Sequence, residues 1–230
     1  MNGEGNFMLA HMICFFITGI LYFCLLYTLL DRKVRKYYLL FKMFSSTAFM
    51  GTAVYMGLVS GNTKNLLIML PAFVFCYLGD YFLGVHKRVV KQIYLYLGTA
   101  AFSLGHIAFI TYFCVRNGFE GYELIFPILG CVFVFFISRW DKYDFGRFRG
   151  PAFVYGAVLF TMAGKAVMNE ILFPSRGNLL LAIGAIFFII SDYLIMVLYF
   201  RKKKGWTIHG WNLGTYYVAM YFMAISLFRA

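Results

Sequence analysis

Residues 66–85 read LLIMLPAFVFCYLGDYFLGV, from Leu66 to Val85, and Asp80 is the one charged residue among them. Twenty apolar residues are enough for a helix to cross a hydrocarbon core about 30 Å thick. A carboxylate held in that core costs on the order of 3 kcal/mol by insertion scales. A second stretch, Leu179–Phe200, reads LLLAIGAIFFIISDYLIMVLYF and has Asp192 as its only charge. Of the nine acidic residues in the chain, these two alone lie well inside apolar runs. They set both the class of the fold and the place to look for a site.

Around these stretches the chain is 62% hydrophobic and 13% charged over 230 residues. That is more apolar surface than a soluble domain of this length can bury, and it predicts an all-α, polytopic membrane helix bundle. The runs are continuous and do not alternate, which argues against a membrane β-barrel. The chain reads as a single transmembrane domain over residues 1–230, with spans near 7–30, 37–59, 65–85, 92–115, 122–138, 151–172, 178–200 and 208–228. The first run is too long for a signal-peptide core and follows an acidic residue, so it is expected to stay as a helix. Cys14, Cys24, Cys76, Cys114 and Cys131 all lie in apolar runs without CxxC spacing, and read as small core residues.

The net charge of +12 resembles a nucleic-acid signal, but its placement argues for a membrane. Four connectors carry fifteen of the basic residues (32–36, 87–91, 139–149 and 201–204), and the opposite side carries four. Such asymmetry puts the basic connectors in the cytoplasm and both termini outside. It also fixes depth. Counted from the basic ends, Lys42 and Asp80 lie roughly 9 Å in and Asp192 roughly 13 Å in, so three charges from three spans share a layer. Tyr155, Tyr216 and Tyr217 fall near that layer, and His106 is expected deeper, at roughly 22 Å. Trp140, Trp206 and Trp211 flank the connectors as an interfacial belt, and His11, His86 and His209 lie near span ends. Gly98, Gly105, Gly156 and Gly184 are expected to permit close helix packing. Gly79-Asp80-Tyr81 and Ser191-Asp192-Tyr193 sit four spans apart, as a parallel duplication of four spans would give.

Two readings of the aspartates compete. In one, Asp80 or Asp192 pairs with Lys42 and only holds the bundle together. In the other, two neighbouring carboxyls face a polar cavity, one donating a proton and one accepting from water. Lys42 itself could neutralise the pair, bind a phosphate from the headgroup layer, or snorkel to the interface. The chain has no GxSxG elbow, HExxH or P-loop, and too few intramembrane histidines for a zinc site. An aspartyl protease would want GxGD, and Tyr77 stands where its first glycine should be. A proton-coupled transporter or lipid-binding membrane protein would use the same acids differently.

The chain resembles the YhhN family of membrane proteins. The resemblance rests on Leu78-Gly79-Asp80-Tyr81-Phe82-Leu83, on Tyr96-Leu97-Gly98 with Phe102 and His106, and on Tyr155 with Met162. It continues through Gly184–Phe188 to Ser191-Asp192 and ends at Tyr216-Tyr217, with Lys42 matching a lysine of the second span. The family pattern usually has a glutamine just after the paired tyrosines, where this chain has Met220, so a polar contact expected there is missing. What the resemblance implies is a lysoplasmalogenase. It would have eight spans, no cofactor and no metal, and would hydrolyse the vinyl ether of a lysophospholipid to a fatty aldehyde and a glycerophospho-base. Asp80 and Asp192 would be catalytic. Lys42, His106, Tyr155, Ser191, Tyr216 and Tyr217 would surround the substrate, with Lys42 a candidate for its phosphate. The partners expected are membrane lipids and no nucleic acid, and the setting a bacterial plasma membrane.

Overall fold

The computed structural model describes residues 3–202 and 207–228, with side chains from residue 11 onward. Lys203, Lys204, Trp206 and Arg229, which entered the charge and belt arguments above, lie outside the described residues. Eight α-helices follow one another: α1 (Gly3–Leu30), α2 (Tyr38–Val59), α3 (Thr63–Val89), α4 (Gln92–Asn117), α5 (Ile125–Arg139), α6 (Arg149–Leu172), α7 (Arg176–Phe200) and α8 (Thr207–Ile225). No strand occurs among the described residues; the one β-bridge pairs Tyr143 with Arg201. Most helices overrun the expected spans by a turn or less, because the backbone stays helical past the apolar boundary. α8 and the fifth helix differ the other way. Gly121–Leu124 forms a separate 3-10 turn, and α5 starts only at Ile125.

Among the described residues, six helices are long and apolar enough to cross a membrane: α1, α3, α4, α5 with its leading turn, α6 and α7. They fit an integral multi-pass membrane protein. α2 and α8 fall short of that measure. The reason is legible in their residues: α2 carries Lys42, Ser45, Ser46, Thr47 and Thr52, and α8 carries His209, Asn212, Thr215 and three tyrosines.

The helices pack as a closed ring. α2 lies on α3, α3 on α4, α4 on α6, α6 on α7, α7 on α8, and α8 returns to α2. α1 and α5 stand outside the ring, α1 against α2 and α8, and α5 against α6. The ring contacts of α2–α4 are thus repeated by those of α6–α8, and α1 on α2 by α5 on α6, while the contact of α1 with α8 has no counterpart. Short connectors make successive helices antiparallel, so α3 and α7 run the same way.

Small residues let the ring close. A Cβ on Gly98 would lie 2.7 Å from Leu83 Cδ2, and one on Gly105 would meet Cys76 Sγ at 3.0 Å, which fixes the α3–α4 crossing. A Cβ on Gly156 would strike Val134 of α5, and one on Gly184 would press on α8 at Ala219. All four glycines therefore sit at helix contacts, as expected. Phe49, Phe73, Phe109, Phe188 and Met162 fill the interior, all fully buried or nearly so. His86, expected at the interface, is buried: its Nδ1 lies 2.9 Å from the Lys91 carbonyl and its ring meets Tyr199 edge-on. It braces the tight α3–α4 turn, where Val90 takes a left-handed conformation at φ 55°.

Candidate active site

Asp80 collects three donors from two helices. Lys42 of α2 is 2.6 Å from its Oδ1. Ser46, one turn further along α2, donates to Oδ2 at 2.5 Å, and Tyr216 of α8 donates to Oδ2 at 2.8 Å. Lys42 and Ser46 share a face because four residues make about one turn. Ser46 has a single proton and a second acceptor at 3.0 Å, the Lys42 carbonyl. Asp80 is 1% exposed and Lys42 5%, so this ion pair is buried with hydrogen bonds that offset its desolvation. The pairing with Lys42 is one of the two readings left open above.

Asp192 has a different set. Tyr155 of α6 donates to its Oδ2 at 2.6 Å. His106 Nε2 lies 3.1 Å from the Tyr155 hydroxyl and 3.5 Å from the same Oδ2. His106 Nδ1 is buried without a hydrogen-bond partner. His106 thus stands beside Asp192.

The two nodes are related by the repeat. Each aspartate, on the third helix of its half, is met by a side chain from the second helix of the same half: Lys42 for Asp80, Tyr155 for Asp192. Each is also met from the fourth helix of the other half: Tyr216 for Asp80, His106 for Asp192. Between them lie edge-on aromatic contacts, His106 with Phe188 at 4.7 Å and Phe188 with Tyr216 at 5.6 Å. No hydrogen bond joins the two carboxyls among the described residues.

Each carboxyl lines its own cavity. Asp192 is the one charged residue lining an apolar cavity of about 790 Å³, open mouth included, between α3, α4, α5, α6 and α7. Phe145 and Phe148 of the α5–α6 connector and Phe200 of α7 stack at one end of it. Burial, and then a hydrogen bond with Tyr193, push the phenol of the connector's Tyr143 up to about 12. Asp80 lines a second, polar cavity of about 480 Å³ with Tyr38, Lys42, Lys87, His209 and Asn212. The two cavities share Leu83, Phe102, Ile195 and Tyr199, so they adjoin.

The remaining expected residues divide. The Tyr217 hydroxyl is 3.4 Å from the Lys42 carbonyl, beside the Asp80 node. Ser191, next to Asp192, is turned to Asn212, whose Nδ2 donates to its carbonyl at 2.9 Å and its hydroxyl at 3.1 Å. Met220 is fully buried, in an apolar setting that needs no polar contact. Among the described residues, no group of three His, Cys, Asp or Glu side chains could hold a metal ion. Sequence reasoning missed a second buried ion pair, Lys165 of α6 with Glu123 at 2.5 Å. Lys165 was visible inside an apolar run. Glu123, at the margin of the fifth span, looked like an ordinary end residue.

An all-helical membrane protein with two buried acid nodes on repeated helices is the class these features define. A model of the YhhN family matches residues 37–227. The chain belongs to the YhhN family. No curated protein and no solved structure matches it.

Proposed function

We propose that the protein is a membrane hydrolase that cleaves the vinyl ether of lysoplasmalogens by acid–base catalysis at Asp192 and Asp80. In this reading all eight helices cross the bilayer and both termini lie on the non-cytoplasmic side. The observation that carries it is a lone carboxyl, Asp192, on the wall of an apolar cavity that adjoins a polar, cation-lined one. A single-chain lipid has that same division: a hydrocarbon tail, a polar headgroup, and here a vinyl ether at the junction.

The roles follow from the order of atoms in the substrate. In R–CH=CH–O–R′ the carbon that must be protonated is on the tail side, and the carbon that water attacks is on the glycerol side. Asp192, on the tail side, donates a proton to the β-carbon, and the electron pair of the double bond forms the new C–H bond. The resulting oxocarbenium ion is stabilised by carboxylate charge, as in glycosidases. Water reaches the α-carbon from the polar cavity and gives up its proton there, with Asp80 the acceptor. The hemiacetal collapses to R–CH2–CHO and R′–OH, so the net reaction consumes one water. Before the next turnover Asp80 releases its proton to water in the polar cavity, and Tyr155, which lines the apolar cavity, passes one from water there to Asp192, with His106 holding the phenol in place.

The test is fatty-aldehyde release from a 1-alkenyl lysophospholipid by purified protein in detergent. Asp192→Asn and Asp80→Asn should each lower the rate by at least about 100-fold, the usual scale of a lost acid–base group. Aldehyde release that persists in both variants would overturn the mechanism. No release by well-folded wild type would overturn the activity and turn attention to transport, which counterflow in proteoliposomes would detect.

A further inference from the structure

Lys42 was the natural candidate for a phosphate ligand, but its charge is already matched by Asp80 at 2.6 Å. The polar cavity holds another cation. Lys87, in the last turn of α3, lines it together with Tyr38, Lys42, Asp80, His209 and Asn212. Its Nζ lies over the Tyr38 ring, 4.2 Å from the centroid, which aims the ammonium. Among the described residues Lys87 makes no ion pair with an acid. Lys42 and Arg35 are both close enough to repel it. The cavity thus brings two lysines together with one carboxylate, and that carboxylate is paired with Lys42.

We propose that Lys87 seats an anionic phosphate ester in this cavity, with Lys42 and Asp80 forming the cavity floor. The ligand is the phosphate of a single-chain phospholipid or a small soluble phosphate, and the lipid source rests on the hydrolase reading. Spacing favours a lipid. Lys87 is seven residues beyond Asp80, two turns on the same face and about 10 Å along the axis. Phosphate and ether oxygen of a lysophospholipid are separated by a glycerol, about five bonds or roughly 6 Å. A phosphate at Lys87 therefore sets the ether at the level of Leu83, four residues or about 6 Å nearer Asp80, where the two cavities meet.

The experiment measures binding, not turnover, so that it can fail separately from the hydrolase reading. Purified wild type, Lys87→Gln and Lys87→Arg are titrated in detergent with three probes. These are a non-hydrolysable 1-alkyl lysophospholipid, the corresponding 1-alkylglycerol, and inorganic phosphate. Lys87→Gln is expected to weaken the alkyl lysophospholipid about tenfold while leaving the alkylglycerol unchanged, and Lys87→Arg to restore it. A loss confined to inorganic phosphate would keep the seat and assign it to a soluble anion. Equal losses for the phospholipid and the alkylglycerol, or no loss for any probe in folded Lys87→Gln, would overturn it. Lys87-dependent phospholipid binding without aldehyde release would keep the seat and remove the hydrolase.

Discussion

Tyr155 stands between Asp192 and His106, at 2.6 Å from one and 3.1 Å from the other, so its hydroxyl links them by donating to the carboxylate and accepting from His106 Nε2. A phenol in that place passes a proton without carrying charge. Tyr155→Phe should then lower kcat by about 10–100-fold and leave KM unchanged, because the cavity keeps its shape and loses only the link. Steady-state aldehyde release measures both. Lys42 makes a different prediction. Lys42→Met would leave Asp80 buried without its cation, a change that costs about 3–5 kcal/mol, whereas Asp80→Asn with Lys42→Met removes both charges and should recover much of that. Thermal melting of the two variants checks the sign. Asp80, Asp192 and Lys42 were legible in the sequence because a charge inside an apolar run is expensive and stands out. Ser46, Lys87 and Glu123 were not. A hydroxyl in a helix is unremarkable, and charges near helix ends are ordinary, so only tertiary placement reveals that these three are engaged.

Helix positions were readable from apolar length, and the tight crossings from glycines. What depended on tilt and on non-apolar helical turns was not readable. The side-chain contact of His106 with Asp192 was not foreseen, and the fifth span was drawn through a 3-10 turn. The α3–α4 crossing deserves the sharpest test because Phe102 and Leu83, which wall both cavities, belong to it. A Cβ at Gly98 already falls 2.7 Å from Leu83. Gly98→Val should therefore cost about 1–3 kcal/mol by overpacking and shift Leu83 into the cavities. A lower melting temperature with a raised KM for the lipid would show both effects; unchanged values of each would mean that the crossing tolerates bulk.

The two helices that fall short of the membrane-span measure, α2 and α8, are neighbours in the ring, and α1 packs against both. α1 is strongly apolar over His11–Leu30 and little buried. It gives the two polar helices cover from lipid that their own residues provide poorly. This arrangement lets α2 and α8 bring Lys42, Ser46 and Tyr216 to Asp80 behind an apolar helix. The eight crossings proposed above would place both chain ends on one side, opposite the basic connectors. Reporter fusions at each end should accordingly both give a non-cytoplasmic signal, and opposite signals would require an odd number of crossings. The exchange of α4 and α8 partners between the halves also bears on how the molecule could be divided. Cut between α4 and α5, the leading fragment would keep Asp80 and Lys42 without Tyr216, and the trailing one Asp192 and Tyr155 without His106. Neither fragment holds a finished acid node, so the two would have to find each other before either carboxyl was dressed for chemistry.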